Sequence, residues 1–288
     1  MNRQIKFPKT IIVLLLLVAC GGKETVVTPT TTPVVTTPTP EVIYGFEKTP
    51  IWQDEFDKDG LPETTKWGYD LGGSGWGNHE LEVYTKNAEN ARIESGKLII
   101  EALRSNNGIY TSARMVTKNK ADWTYGRFEI RAKLPKGVGT WPAIWMLPTK
   151  QSYGDVYWPD NGEIDIMEHV GFDQGVIHFS SHTNLNNWPK NTQLTATTPI
   201  SDCSEAFHNY ILEWTPKGLK IMIDDKEYFN MDSRNEYSWQ YWPYDKPFHL
   251  LLNLAIGGDW GGQKGVDDKI FPQRMEVEYV RVYKMTKS

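Results

Sequence analysis

Residues 44–288 read as one all-β domain, a sandwich or a barrel, and three observations carry that reading. Short apolar or alternating runs recur between turn residues, among them Asn106-Asn107-Gly108, Pro135-Lys136-Gly137 and Asp224-Asp225. No long segment shows a helical period. The strand–turn rhythm continues over about 240 residues without an internal repeat, which leaves one domain.

What precedes that domain is of another kind. Residues 1–19 hold Arg3, Lys6 and Lys9 before an apolar run, the pattern of a signal peptide, too short to cross a membrane as a helix. They end in Leu17-Val18-Ala19-Cys20-Gly21, which resembles a bacterial lipobox, with cleavage before Cys20 and lipid on that cysteine. The alternative is an ordinary cleavage site with an incidental cysteine. Residues 20–43 form a linker: 25–40 contain only Thr, Pro and Val and cannot bury enough apolar surface to fold. The expected product is a lipoprotein tethered at the cell envelope, on the outer membrane or the cell surface.

The formal net charge is −5, or −8 once residues 1–19 with their three cations are removed. That balance argues against nucleic acid as a partner and suits a neutral polymer. Twelve Trp and fourteen Tyr can fill a core, and they equally suit stacking on sugar rings. The remaining cysteine, Cys203, reads as a quiet buried thiol.

In chain order, strands are expected at 97–103, 112–117, 126–133, 143–147, 163–169, 176–182, 207–214, 218–223, 248–255 and 275–283. Within 141–147, Trp141 and Trp145 point the same way, as core or as binding platform. Pro142 between them would interrupt an inner ladder, which places this strand at a sheet margin. His178, Ser180 and His182 share a face without the spacing of a zinc site, as sugar-binding or core residues. The glycine-flanked stretch around Asn78 and the loop presenting Trp260 read as plain loops or as places where backbone approaches a ligand closely.

The chemistry points to Gly162-Glu163-Ile164-Asp165-Ile166-Met167-Glu168-His169. Strand alternation puts Glu163 and Asp165 on one face and would send Glu168 to the other. One extra residue, a β-bulge at Ile166-Met167, returns Glu168 to the side of the first two acids. Carboxyls so gathered suit glycoside hydrolysis, one attacking the anomeric carbon and another protonating the leaving oxygen. Like-charge repulsion would help keep the acid protonated. The plainer alternative is a strand with acids facing solvent and isoleucines facing the core.

Together these residues resemble glycoside hydrolase family 16, in particular its bacterial laminarinase-like members, over residues 50–284. The resemblance rests on Trp52-Gln53-Asp54-Glu55-Phe56, residues 75–85, Thr111-Ser112-Ala113-Arg114-Met115, Gly126-Arg127-Phe128-Glu129, residues 141–147 and 162–169, and Tyr279-Val280-Arg281-Val282-Tyr283. It implies a β-jelly-roll sandwich of two antiparallel sheets with a concave substrate cleft, and an endo-acting retaining β-glucanase cutting β-1,3 bonds. Glu163 matches the nucleophile, Asp165 the assisting carboxylate and Glu168 the acid/base. Asn78, Arg114, Trp141, Trp145, His182 and Trp260 fall where such enzymes hold the glucan. No cofactor is implied for catalysis. A structural calcium is, with Glu55, the backbone of Gly96 and Glu278 as ligands, Glu278 being one carbon longer than the usual aspartate. The loop after Phe179 is less basic and aromatic than the resemblance implies. Rival readings are an agarase- or carrageenase-like galactanase and a non-catalytic glycan-binding protein. A monomer is expected.

Overall fold

The structure, a computed structural model, describes residues 42–233 and 238–288. The expected signal peptide, Cys20 and residues 20–41 of the linker lie outside the described residues. Val42–Ser288 form a compact unit.

The first strands are β1 (Tyr44–Phe46), β2 (Trp52–Asp54), β3 (Gly68–Asp70), β4 (Glu82–Tyr84), β5 (Ala91–Ile93), β6 (Leu98–Arg104), β7 (Tyr110–Ser112) and β8 (Arg114–Val116). There follow β9 (Gly126–Lys133), β10 (Thr140–Pro148), β11 (Glu163–His169), β12 (Val176–His182), β13 (Leu194–Pro199) and β14 (His208–Thr215). The last are β15 (Gly218–Ile223), β16 (Lys226–Asp232), β17 (Phe248–Ile256), β18 (Gln273–Tyr283) and β19 (Met285–Lys287).

They assemble into a seven-stranded sheet, β13-β12-β11-β10-β17-β8-β3, and a ten-stranded sheet built on β16-β15-β14-β9-β18-β6-β7-β4. A small β1–β19 pair joins the ends of the domain. Apolar side chains from both large sheets meet in one core: Phe128, Ile130 and Val280 from one, Ile144, Ile164 and Leu252 from the other. This is the expected sandwich. Its pairings are antiparallel except β4–β7, which is parallel.

Local sequence explains the elements. In β9, Phe128, Ile130 and Ala132 enter the core while Arg127, Glu129, Arg131 and Lys133 face outward, the period-2 pattern of a half-covered strand. All nine residues of β17 are buried, because both its faces are covered. The run expected as one strand at 112–117 is broken at the buried Ala113, where the chain leaves one sheet and enters the other. The longer strands not anticipated, β13 and β16, lie at sheet edges, where few apolar residues mark them.

The margin position expected for β10 is corrected. β10 is the central strand of the seven, between β11 and β17. Pro142 pairs in register with Leu254 of β17, while the β10–β11 register begins at Ala143↔Glu168. The proline therefore sits where one ladder has ended.

Candidate active site

The site lies on the face of the seven-stranded sheet turned away from the core, and β11 forms its floor. On one side Glu163 pairs with His182 and Asp165 with Ser180; on the other Asp165 pairs with Trp145 and Glu168 with Ala143. Both registers slip between Asp165 and Glu168. Ile164, Ile166 and Met167 all enter the core, so two consecutive residues point inward and Glu168 rejoins the acids. The bulge is where the sequence places it.

Neighbours hold the strand in position. The Tyr244 hydroxyl lies 3.0 Å from the carbonyl of Glu163 and 2.9 Å from that of His182, fastening β11 to β12. Gly162, with φ of +86°, opens the strand; a Cβ there would stand 2.7 Å from Pro243 and 2.8 Å from Tyr244.

All nine residues expected in catalysis and substrate binding line one cleft. The Trp141 indole donates to Glu168 Oε1 at 3.0 Å and meets Trp260 edge-on, ring centres 5.4 Å apart. His182 Nε2 lies 3.3 Å from Asp165 and 3.9 Å from Glu163. Arg114 is held by Asp70 at 3.1 Å and stacks between Trp76 and Trp145, 4.9 and 4.7 Å from their ring centres. Its charge is thus committed to the cleft wall. Both tryptophans of β10 are half-buried and line the cleft, outside the main core.

A second network backs this wall. Trp145 donates to Asn253 (2.7 Å), Asn253 to the Tyr84 hydroxyl (3.0 Å) and Tyr84 to Glu80 (3.1 Å), which also accepts from Asn78 (3.1 Å). Glu82 lies beneath, fully buried, accepting from the Ile256 N–H at 2.6 Å. Burial, reinforced by Glu80 beside it, pushes Glu82 up to about 9, so it is a neutral acid at physiological pH.

Burial pushes the three cleft carboxyls up as well. Glu163 rises to about 8, with Asp165 adding to the effect. Glu168 rises to about 7; the Trp141 N–H restrains the rise and Glu163 adds to it. Asp165 stands well above its usual range, burial first and Glu168 second. Repulsion, the cause read from the sequence, ranks behind burial. A cluster so enclosed retains protons near neutrality and titrates as a unit. It can offer a carboxylate and a carboxylic acid together, which acid-assisted displacement at a sugar carbon requires.

Among the described residues, Glu163, Asp165 and His182 are the one acid/histidine group close enough to share an ion, their ligand atoms within 4.8 Å of one another. The carboxylates that the resemblance implies as calcium ligands are paired with arginines in this structure. Glu55 accepts from both Nε and an Nη of Arg281, at 2.8 and 2.7 Å. Glu278 is paired with Arg131, and Gly96 occupies a tight turn at φ +69°. Both carboxylates already have cations from the chain itself.

Glu80, Tyr157, Trp158, Trp188 and Asn253 also line the cleft and had no role assigned from sequence. Asn253 carried a signal, being with His249 one of two polar residues in the apolar run of β17. The others sit in loops or short edge elements, where no periodicity reports which way a side chain faces.

The pattern of glycosyl hydrolases family 16 matches residues 76–281. A β-glucanase of Rhodothermus marinus is 53% identical over 241 residues, covering 81% of this chain and 84% of its own. A glucan endo-1,3-β-glucosidase of Cryptopygus antarcticus is 40% identical over 255 residues, covering 80% and 90%. The X-ray structure of the laminarinase from Rhodothermus marinus superposes with a TM-score of 0.81 at 51% identity, covering 85% of this chain and 99% of that one.

Proposed function

Because the chain belongs to glycosyl hydrolases family 16, we propose that it is an endo-acting, retaining β-glucanase cutting β-1,3 bonds in laminarin-type or mixed-linkage glucan. One observation carries the reading: the bulge in β11 brings Glu163, Asp165 and Glu168 to the cleft floor between Trp141 and His182. A protein that only binds glycan needs the tryptophans but not this acid cluster. A sulfated galactan would call for free cations, and the cleft's arginine, Arg114, is already engaged by Asp70 and two indole rings.

In the proposed reaction the working form carries the shared proton on Glu168 and the charge on Glu163. It is a minor form, because Glu163 holds its proton at least as tightly (about 8 against about 7). In it the Glu163 carboxylate attacks the anomeric carbon as the bond to the leaving oxygen breaks. Glu168 gives that oxygen its proton. Glu168, now charged, takes a proton from water, whose oxygen displaces Glu163 and restores the original configuration. Asp165 stays bound to neither sugar nor leaving group and tunes both neighbours. Reducing-end release from laminarin, mixed-linkage glucan, agarose and carrageenan, run side by side, tests the reading. Turnover confined to the two glucans supports it; turnover confined to a galactan overturns it.

The lipobox-like Leu17-Val18-Ala19-Cys20 supports a lipid anchor on Cys20, holding the enzyme at the cell envelope beside its polymeric substrate. Cys20→Ala should abolish labelling by a radioactive fatty acid and leave specific activity unchanged. A variant still labelled contradicts the anchor.

A further inference from the structure

β11 is third from one edge of the seven-stranded sheet, with only β12 and β13 beyond it on that side. Strands spaced about 4.8 Å apart put β13 roughly 10 Å from the acids. Its cleft-facing side chains, Thr195 and Thr197, are small and offer no platform. The connection between β12 and β13 supplies one. Its short 3-10 turn, Trp188–Lys190, sets Trp188 along the cleft with 55% of its surface exposed.

A lone exposed apolar residue ordinarily needs no explanation, but this one is braced. Asn187 donates to the carbonyls of Thr183 and Asn184, both at 3.0 Å, and its side chain accepts from the Lys190 N–H at 3.3 Å. Asn184 in turn donates to Asp160 at 2.7 Å, tying the loop to the segment that precedes β11. The ring is therefore held ready before any ligand arrives. Gln193 lines the same cleft, and its Oε1 is buried without a hydrogen-bond partner. The exposed indole plane matches the apolar C–H face of a pyranose, and a turn of the Gln193 side chain would bring its unpartnered oxygen to a hydroxyl at the rim.

We infer that Trp188 and Gln193 form an outer sugar subsite, which binds a β-linked glucosyl unit of a chain whose scissile bond lies at Glu163 and Glu168. The inference rests on the β-glucanase reading above. It makes Trp188 a determinant of substrate length, remote from the chemistry.

The test is kcat/KM for the parent, Trp188→Ala, Trp188→Phe and Gln193→Ala on β-1,3-gluco-oligosaccharides of increasing length, with an aryl β-glycoside of a disaccharide as the short substrate. Trp188→Ala should match the parent within twofold on the aryl glycoside. On long oligosaccharides it should lose about three- to tenfold, the range of one aromatic contact. The rise in kcat/KM that the parent shows at one particular chain length should vanish. Trp188→Phe should recover most of that rise, and Gln193→Ala should lose part of it. Equal loss on short and long substrates, or a length profile like the parent's, overturns the subsite. A parent inactive on every β-glucan overturns the β-glucanase reading and the subsite with it, an outcome distinct from an active parent matched by its variants.

Discussion

β9 and β11 are both inner strands that turn apolar residues inward and charged ones outward, yet their charges meet opposite fates. On β9 every charge has an opposite. Arg127 pairs with Glu129 (2.7 Å) and Glu213 (2.6 Å), Lys133 with Glu276 (2.8 Å) and Arg131 with Glu278. On β11 the three acids face Trp141, His182 and one another, and among the described residues no lysine or arginine pairs with them. The outer sheet neutralises charge with charge. The cleft neutralises it by retaining protons, and the proposed reaction uses the one on Glu168 with Glu163 ionised. A largely buried acid cluster without a lysine or arginine partner is costly to stability, so its presence points to function more firmly than its composition does.

The sharpest way to break the comparison is to remove a charge from each strand. Glu163→Gln should lower turnover by roughly four orders of magnitude or more while glucan binding, followed by calorimetry, survives. Glu168→Ala should lose about 10²–10⁴-fold on glucan. With an activated aryl glycoside it should still form the glycosyl-enzyme, and azide should release it as the β-glycosyl azide, because that anion needs no general base. An α-azide would reverse the assignment.

A subtler change separates the cleft's packing from its proton control. The Trp141 N–H stabilises Glu168 as the charged form. Trp141→Phe keeps an aromatic ring and removes that donor, so Glu168 should bind its proton more tightly. The alkaline limb of the pH–rate profile should then move to higher pH, with a loss in kcat/KM of about tenfold or less. A limb that stays in place or moves down would show that the indole does not control the acid.

The smallest effect belongs to the outer sheet. Glu129→Gln removes one partner of Arg127 and leaves Glu213, and partly exposed pairs contribute about 1 kcal/mol or less. Tm should fall by roughly 1–4 °C with kcat unchanged. A loss of activity without a loss of Tm would mean that the outer face communicates with the cleft.

Much of this contrast could be read from the chain. The bulge was legible because three acids in E-x-D-x-x-E break strand parity, and one extra residue repairs it. The all-β class followed from turn residues recurring between short runs, and six cleft-lining positions from the resemblance. What escaped has physical reasons. Pro142 misled because a ladder can stop beside a proline inside a central strand. β13 and β16 hid because edge strands bury little. The arginine partners of Glu55 and Glu278 come from β18 and β9, which sequence does not place beside them. Trp188 lies in a loop, where exposure depends on the fold of the whole connection.

The central claim is that the cleft carboxyls retain protons because burial, without cations, opposes their charge. It is tested by the Tm of Glu163→Gln minus that of the parent, measured from pH 4 to pH 8.5. Glutamine imitates the protonated glutamate. Glu163 is raised in the folded state to about 8, so the folded protein binds the proton more tightly than the unfolded chain. The parent therefore loses stability as pH rises from the unfolded value toward 8, and the variant does not. The difference should be near zero at pH 4 and grow in favour of the variant to several degrees by pH 8, at roughly 2–4 °C per kcal/mol. A difference that is flat across pH, or that favours the parent at pH 8, would contradict the account.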